Sequence, residues 1–181
     1  MHHRYLFFGI LSVSFFLFSA HSATQSDQSK LKLGDFLPPL AGQTLTGKWL
    51  NVAAVSSANR SVVVFSFSRA GGRDAQLWTQ RLAELDPHLA IYTVIFLGSV
   101  PSLFRTMAVS GIKNGMPLAL QDRTILLYRD ENLWEKRLQI ANEDRACVVL
   151  RSSTGQIQWM TTGPFADVLY LEFNKQIRSV N

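Results

Sequence analysis

Residues 60–67 read RSVVVFSF, and residues 68–74 read SRAGGRD. The first stretch is a continuous β-branched and aromatic run, the pattern of a strand buried on both faces. Gly71-Gly72 then breaks the chain. Asp74 is placed to cap a helix over Ala75–Leu85, where Leu77, Trp78, Leu82 and Leu85 recur at helical spacing, and Pro87 follows the end. A buried strand that runs through a sharp turn into an amphipathic helix points to an α/β architecture.

The rest of the chain repeats this alternation. Downstream, Ala90–Leu97 (AIYTVIFL) reads as a second buried strand. Ser99 is placed to cap a helix with Pro101 in its first turn, running to about Val109. Gly111, Gly115 and Pro117 punctuate a loop before a third strand at Thr124–Tyr128. Asp130 or Asn132 caps a helix over Leu133–Ile140. Ala146–Arg151 is a fourth strand, Ser152–Gly155 (SSTG) a hairpin turn and Gln156–Met160 a fifth strand. Pro164 opens a last helix with Phe165, Leu169, Phe173 and Ile177 on one face. Upstream, Lys32–Leu40 is extended, and Thr44–Lys48 (TLTGK) turns into Trp49–Val55. The order β-α-β-α-β-α-β-β-α implies parallel crossovers followed by one antiparallel pair, hence a mixed sheet in a single domain over residues 31–181.

Composition narrows the chemistry. The chain has 181 residues, four histidines and one cysteine. Three of the histidines (His2, His3, His21) lie in the first 21 residues. Beyond them only His88 and Cys147 remain, too few for a Cys/His zinc site, a CxxC pair or a disulfide framework. The acidic residues Glu84, Asp130, Glu131 and Glu143 show no metal-ligand spacing, and no cofactor or metal is expected. Net charge is +5 and is spread without a basic run, so nucleic acid is not an expected partner.

Residues 1–23 read as a cleavable secretory signal. His2, His3 and Arg4 form a basic start, Leu6–Phe18 an apolar stretch too short to span a bilayer comfortably, and Ser19–Ala23 (SAHSA) a small-residue site cleaved after Ser22 or Ala23. Thr24–Lys30 is a polar linker. The expected location is periplasmic or secreted, with membrane association only through an uncleaved leader or a membrane partner. In an oxidising compartment a single cysteine is best hidden, and Cys147 lies in the apolar run ACVVL.

The element order resembles the thioredoxin superfamily, in the version with an additional strand and helix. The likeness rests on LGDFLPPLAGQTLTGK near the start, on VVVFSF leading into a loop and helix, and on CVVLRSSTGQIQW. It implies a thioredoxin-like three-layer sandwich. Redox-active members carry the attacking cysteine, often as CxxC, in the loop after the first central strand. Here Ala70, Gly71, Gly72 and Arg73 fall on those positions, and Asp144-Arg145-Ala146 stands where thioredoxins have a cis-proline. Thiolate chemistry of the family's kind therefore has no nucleophile in this loop. A narrower resemblance is to the thioredoxin-like assembly factor of the mitochondrial ATP synthase F-zero sector (number ten) and its bacterial relatives. It is carried by GQTLTGK, GIKNGMP, DRTILLYRDENLWEKRLQI and TGQIQWMTTGPF. That resemblance implies a protein-binding, assembly-factor or chaperone-like role with a partner in the cell envelope.

Two local features are candidate binding sites. Around Arg69, Gly71, Gly72, Arg73 and Asp74, a glycine pair at a helix start would expose backbone N–H groups to an anion, flanked by two arginines. The alternative is a solvated helix cap. Met116, Pro117 and Arg123 belong to a loop expected near the same end of the sheet, with Arg123 as an anion partner or the loop as a plain turn. Trp134 and Trp159 could line a groove but fit core positions better, and His88 reads as a surface residue. A redox role through Cys147 alone, or a small-anion module at Arg69–Asp74, are the alternative functions.

Overall fold

The computed structural model describes residues 29–55, 60–86 and 89–178. The signal-peptide reading of residues 1–23, most of the linker and His88 lie outside them. The centre of the domain is β3 (Ser61–Ser66), buried at every position. It pairs in parallel with β4 (Ala90–Phe96) on one side and antiparallel with β6 (Ala146–Arg151) on the other. Both neighbours carry side chains that favour a sheet buried on two faces, and β6 is likewise buried throughout.

The sheet has seven strands in the order β2-β1-β5-β4-β3-β6-β7, with β1 Ala41–Thr44, β2 Trp49–Asn51, β5 Thr124–Leu127 and β7 Ile157–Gly163. β4 and β5 run parallel, and β6 and β7 form the expected antiparallel hairpin. This agrees with the mixed α/β sheet anticipated from the alternation. The strand at Ala41–Thr44 is new. Its four residues AGQT bury Gly42 and Thr44 in alternation but offer too little apolar side chain to announce a strand. The TLTGK turn after it closes a hairpin, with Gly47 at φ +85° and its N–H donating to the Thr44 carbonyl at 2.9 Å.

Helices cover both faces. α1 (Arg69–Leu85) and α5 (Asp167–Arg178) pack on the face that shows Val62, Val64, Val148 and Leu150, through Trp78, Leu82 and Phe173. α4 (Glu131–Leu138) packs on the opposite face, placing Trp134 and Leu138 among Val63, Phe65, Val94 and Val149. α2 (Ser102–Gly115) and the single turn α3 (Leu118–Gln121) lie toward the β1–β5 edge. No described helix is long and apolar enough to cross a membrane.

Several boundaries differ from the sequence reading. α1 begins at Arg69 under an Ser68 N-cap, so Gly71, Gly72 and Asp74 lie inside the helix rather than before it. α2 starts after Pro101 and continues to Gly115, through the glycines read as a loop. Ser99 does not cap it: the Ser99 N–H donates to Glu131 Oε2 at 2.9 Å. Asp130 precedes α4 in a left-handed conformation and makes no side-chain cap bond.

Candidate functional site

The first two turns of α1 are anchored by short-range and long-range bonds. The Ser68 hydroxyl accepts from the Gly71 N–H at 3.0 Å and donates to Asp144 Oδ1 at 2.8 Å. The Gly72 N–H donates to the Ser68 carbonyl at 2.9 Å. These are two of the backbone donors that the sequence reading offered to an anion, and both are spent within the fold. Gly71 is needed for a different reason. A Cβ there would lie 2.6 Å from the Glu143 carbonyl oxygen and 3.2 Å from that of Arg145, so the missing side chain lets the segment before β6 press against the helix.

Asp74 lies further still from its expected place. It is buried, not a solvated cap. Its Oδ2 accepts from the Ala146 N–H at 2.9 Å and its Oδ1 from the Phe165 N–H at 2.7 Å. One carboxylate thus ties α1 to the start of β6 and to the segment after β7. Such charge-assisted bonds to backbone donors are stronger than neutral ones.

The opposite side of α1 faces a cavity of about 660 Å³ between α1 and α2. Its sheet side includes Ser66, Thr93 and Ile95, and its α2 side includes Phe104, Ala108 and Ile112. α2 buries none of its own residues. The Gln76 side-chain amide reaches the Gly115 carbonyl at 3.3 Å and joins the two helices at one end. Of the residues singled out in the sequence, the cavity gathers Arg69, Gly72, Arg73 and Met116. Gly71 and Asp74 serve the β6 side of α1 instead. Pro117 is exposed before α3, and Arg123 is exposed with its carbonyl accepting the Thr93 N–H at 3.0 Å, so neither belongs to the cavity wall. The sequence reading assigns neither Ser66 nor the α2 residues to a site: Phe104 and Ala108 fall within its helix to about Val109 with nothing local to set them against α1, and Ile112 falls in the stretch it reads as a loop. The signal available was the apolar spacing of Phe104, Ala108 and Ile112 in LFRTMAVSGIK.

Cys147 sits fully buried in β6, opposite Phe65. Burial pushes its thiol far above the usual range, because the thiolate would lose its hydration. Trp134 stacks on Phe65 with ring centroids 5.8 Å apart, and Trp159 packs edge-on to Phe173 at 5.3 Å, so both are core residues. Elsewhere Glu135 is raised by burial and by the neighbouring Glu143 and Glu131. Asp122 is held below the usual carboxylate range by Lys48, 2.7 Å away, and by the Thr46 hydroxyl. Among the described residues no cluster of three or more His, Cys, Asp or Glu is placed to hold a metal.

A mixed sheet with a central β3–β4–β5 parallel run, a β6–β7 antiparallel end and helices on both faces is a thioredoxin-like fold. Solved structures agree. The chain is similar to the thioredoxin domain of a thiol-disulfide oxidoreductase from Bacteroides vulgatus, at 19% identity and TM-score 0.55, over 82% of this chain and 100% of that one. It is also similar to a protein assigned as the thiol:disulfide interchange protein DsbE of Chlorobium tepidum, at 12% identity and TM-score 0.59, over 83% and 98%. A third is a member of the Sco family of cytochrome c oxidase assembly proteins, at 12% identity and TM-score 0.53, over 85% and 99%. At these identities the likeness is one of fold. No family model matches the chain, and no curated protein matches it significantly.

Proposed function

We propose that this is an exported, non-catalytic thioredoxin-fold protein that binds another protein in the cell envelope, as an assembly factor or chaperone-like component. The observation that carries the reading is where the one thiol lies. The first turn of α1, where redox-active members of the superfamily carry the nucleophile, holds Ala70, Gly71, Gly72 and Arg73. Cys147 is buried in the middle of the sheet, and its environment opposes the thiolate. Disulfide exchange needs an accessible thiolate. A scaffold without one is left to act by binding.

Two further points support the reading. The Sco-family neighbour is itself an assembly protein, and the chain's own motifs resemble the F-zero assembly factor family. Export rests on the leader-like residues 1–23. The test is crosslinking in living cells of the native host, followed by mass spectrometry, beside a disulfide-reductase assay of the purified chain. The expected result is a specific envelope protein in the crosslinked product and no thiol turnover. Recovery of only the protein itself, or turnover that Cys147→Ala abolishes, would overturn the proposal.

A further inference from the structure

We propose that the cavity between α1 and α2 binds a long-chain monocarboxylate, with the acyl chain between the helices and the carboxylate against Arg69 and Arg73. This inference stands apart from the assembly reading.

Size and lining come first. At about 660 Å³ the cavity falls within the range of roughly 300–1,000 Å³ typical of small-molecule sites. Ile95, Phe104, Ile112 and Met116 give it apolar walls. A helix of this length ordinarily buries an apolar stripe against its own domain. α2 leaves that stripe incomplete: Val109 and Ile112 pack only half-buried against the cluster of Leu45, Leu97 and Leu126, no α2 residue is fully buried, and Phe104 and Met107 remain 50% and 69% exposed. An apolar occupant would complete the cover that the sheet and α1 leave unfinished.

Charge sets the head group. Among the described residues, the cavity wall includes Arg69 and Arg73 and no aspartate or glutamate. Both arginines are exposed, and neither forms an ion pair among the described residues. The N-terminal end of α1 adds a partial positive charge beside them. In the wall next to this end, Ser66 is 1% exposed, and its Oγ is buried without a hydrogen-bond partner. A buried hydroxyl without a partner costs free energy that a ligand acceptor recovers.

Hydrogen-bonding capacity then separates an acyl chain from a peptide. The Gln76 amide is committed to the Gly115 carbonyl and the Thr79 hydroxyl to the Ala75 carbonyl. A peptide would bring an N–H and a C=O per residue into walls with few groups left to meet them. An acyl chain brings none. A small inorganic anion would meet the arginines and leave the apolar volume empty.

The experiment is calorimetric titration of the full chain with dodecanoate below its micellar range, beside dodecyltrimethylammonium and inorganic phosphate. Saturable binding of dodecanoate is expected, with little heat from the other two. Replacing both arginines (Arg69→Ala with Arg73→Ala) should weaken dodecanoate by about tenfold or more, as expected for loss of charge-assisted contacts at exposed positions that the fold does not need. Ala108→Trp should abolish binding by filling the cavity, and a native circular dichroism spectrum must accompany that loss. No saturable binding to the wild type would overturn the proposal. So would equal affinity for dodecyltrimethylammonium, or an arginine double variant that binds dodecanoate unchanged.

Discussion

Asp74→Ala should be among the most destabilising single substitutions in this protein. The carboxylate accepts the Ala146 N–H at 2.9 Å and the Phe165 N–H at 2.7 Å, and the side chain is buried. Hydrogen bonds to a charged acceptor contribute about 1.5–3 kcal/mol each, so the pair stands at roughly 3–6 kcal/mol. Alanine leaves the Ala146 donor stranded at a residue with no exposure. Partial rescue by water at Phe165, which is only half-buried, brings the expected loss to about 3–5 kcal/mol. A domain of this size has about 5–15 kcal/mol in total, so much of it goes. Asp74→Asn keeps one acceptor and turns an N–H₂ toward the second donor, which predicts an intermediate loss of about 2–3 kcal/mol. Urea unfolding followed by tryptophan fluorescence reads this directly, because Trp78 and Trp159 pack near the same junction. Arg73→Ala, one residue away and exposed, serves as the control and should stay within about 0.5 kcal/mol. If Asp74→Ala costs less than the ~1 kcal/mol of an ordinary helix cap, the carboxylate is not the junction described here.

Two neighbouring glycines should respond with opposite signs. Gly71→Ala drives a Cβ into the Glu143 carbonyl at 2.6 Å and should destabilise by about 2 kcal/mol or more, while Gly72→Ala meets nothing within 4 Å and should stabilise by up to ~1 kcal/mol through helix propensity. Similar shifts in chemical denaturation for both would contradict the close approach. Cys147 should not react with a thiol reagent until the protein unfolds. Its folded-state pKa is raised, so its stabilising contribution is complete below the unfolded value of about 8.5 and is lost as pH rises above it, at up to ~1.4 kcal/mol per pH unit. Cys147→Ala should flatten that alkaline limb of a stability–pH curve. Arg151, 1% exposed, donates to the Val52 carbonyl at 3.0 Å and to the Ser61 hydroxyl at 3.0 and 3.2 Å. An ammonium cannot span both acceptors, so Arg151→Lys should lower urea stability by about 2 kcal/mol.

Much of the fold was legible because its signals are local. VVVF, AIYTVIFL and ACVVL are apolar runs of strand length, and each formed the expected strand. Leu169, Phe173 and Ile177 pack on the second core as their helical spacing suggests, whereas α5 begins at Asp167 rather than Pro164 and Phe165 reaches the same core from the segment before the helix. β1 escaped because AGQT carries almost no side chain to pattern. The glycine pair hides the α1 start, because Gly71 and Gly72 read as a break but lie inside the helix. Glycine ordinarily weakens a helix, but here Gly71 buys a backbone approach that no propensity scale contains.

The candidate site divided along the same line. The chain alone determined that no CxxC pair exists, that two arginines flank Ala70-Gly71-Gly72, and that the one cysteine lies in a strand. Residue type and strand-length periodicity are enough for those statements. Only the tertiary structure decided what each group near α1 does. Asp74 meets donors 72 and 91 residues away, and Arg69 and Arg73 share a cavity with an α2 whose apolar side the domain covers only in part. Hydrogen-bond partners of buried polar groups are chosen by chain crossings, and the space between two helices depends on how both rest on the sheet. Neither is encoded at the spacing of a helix or a strand, so neither can be read before the chain is folded.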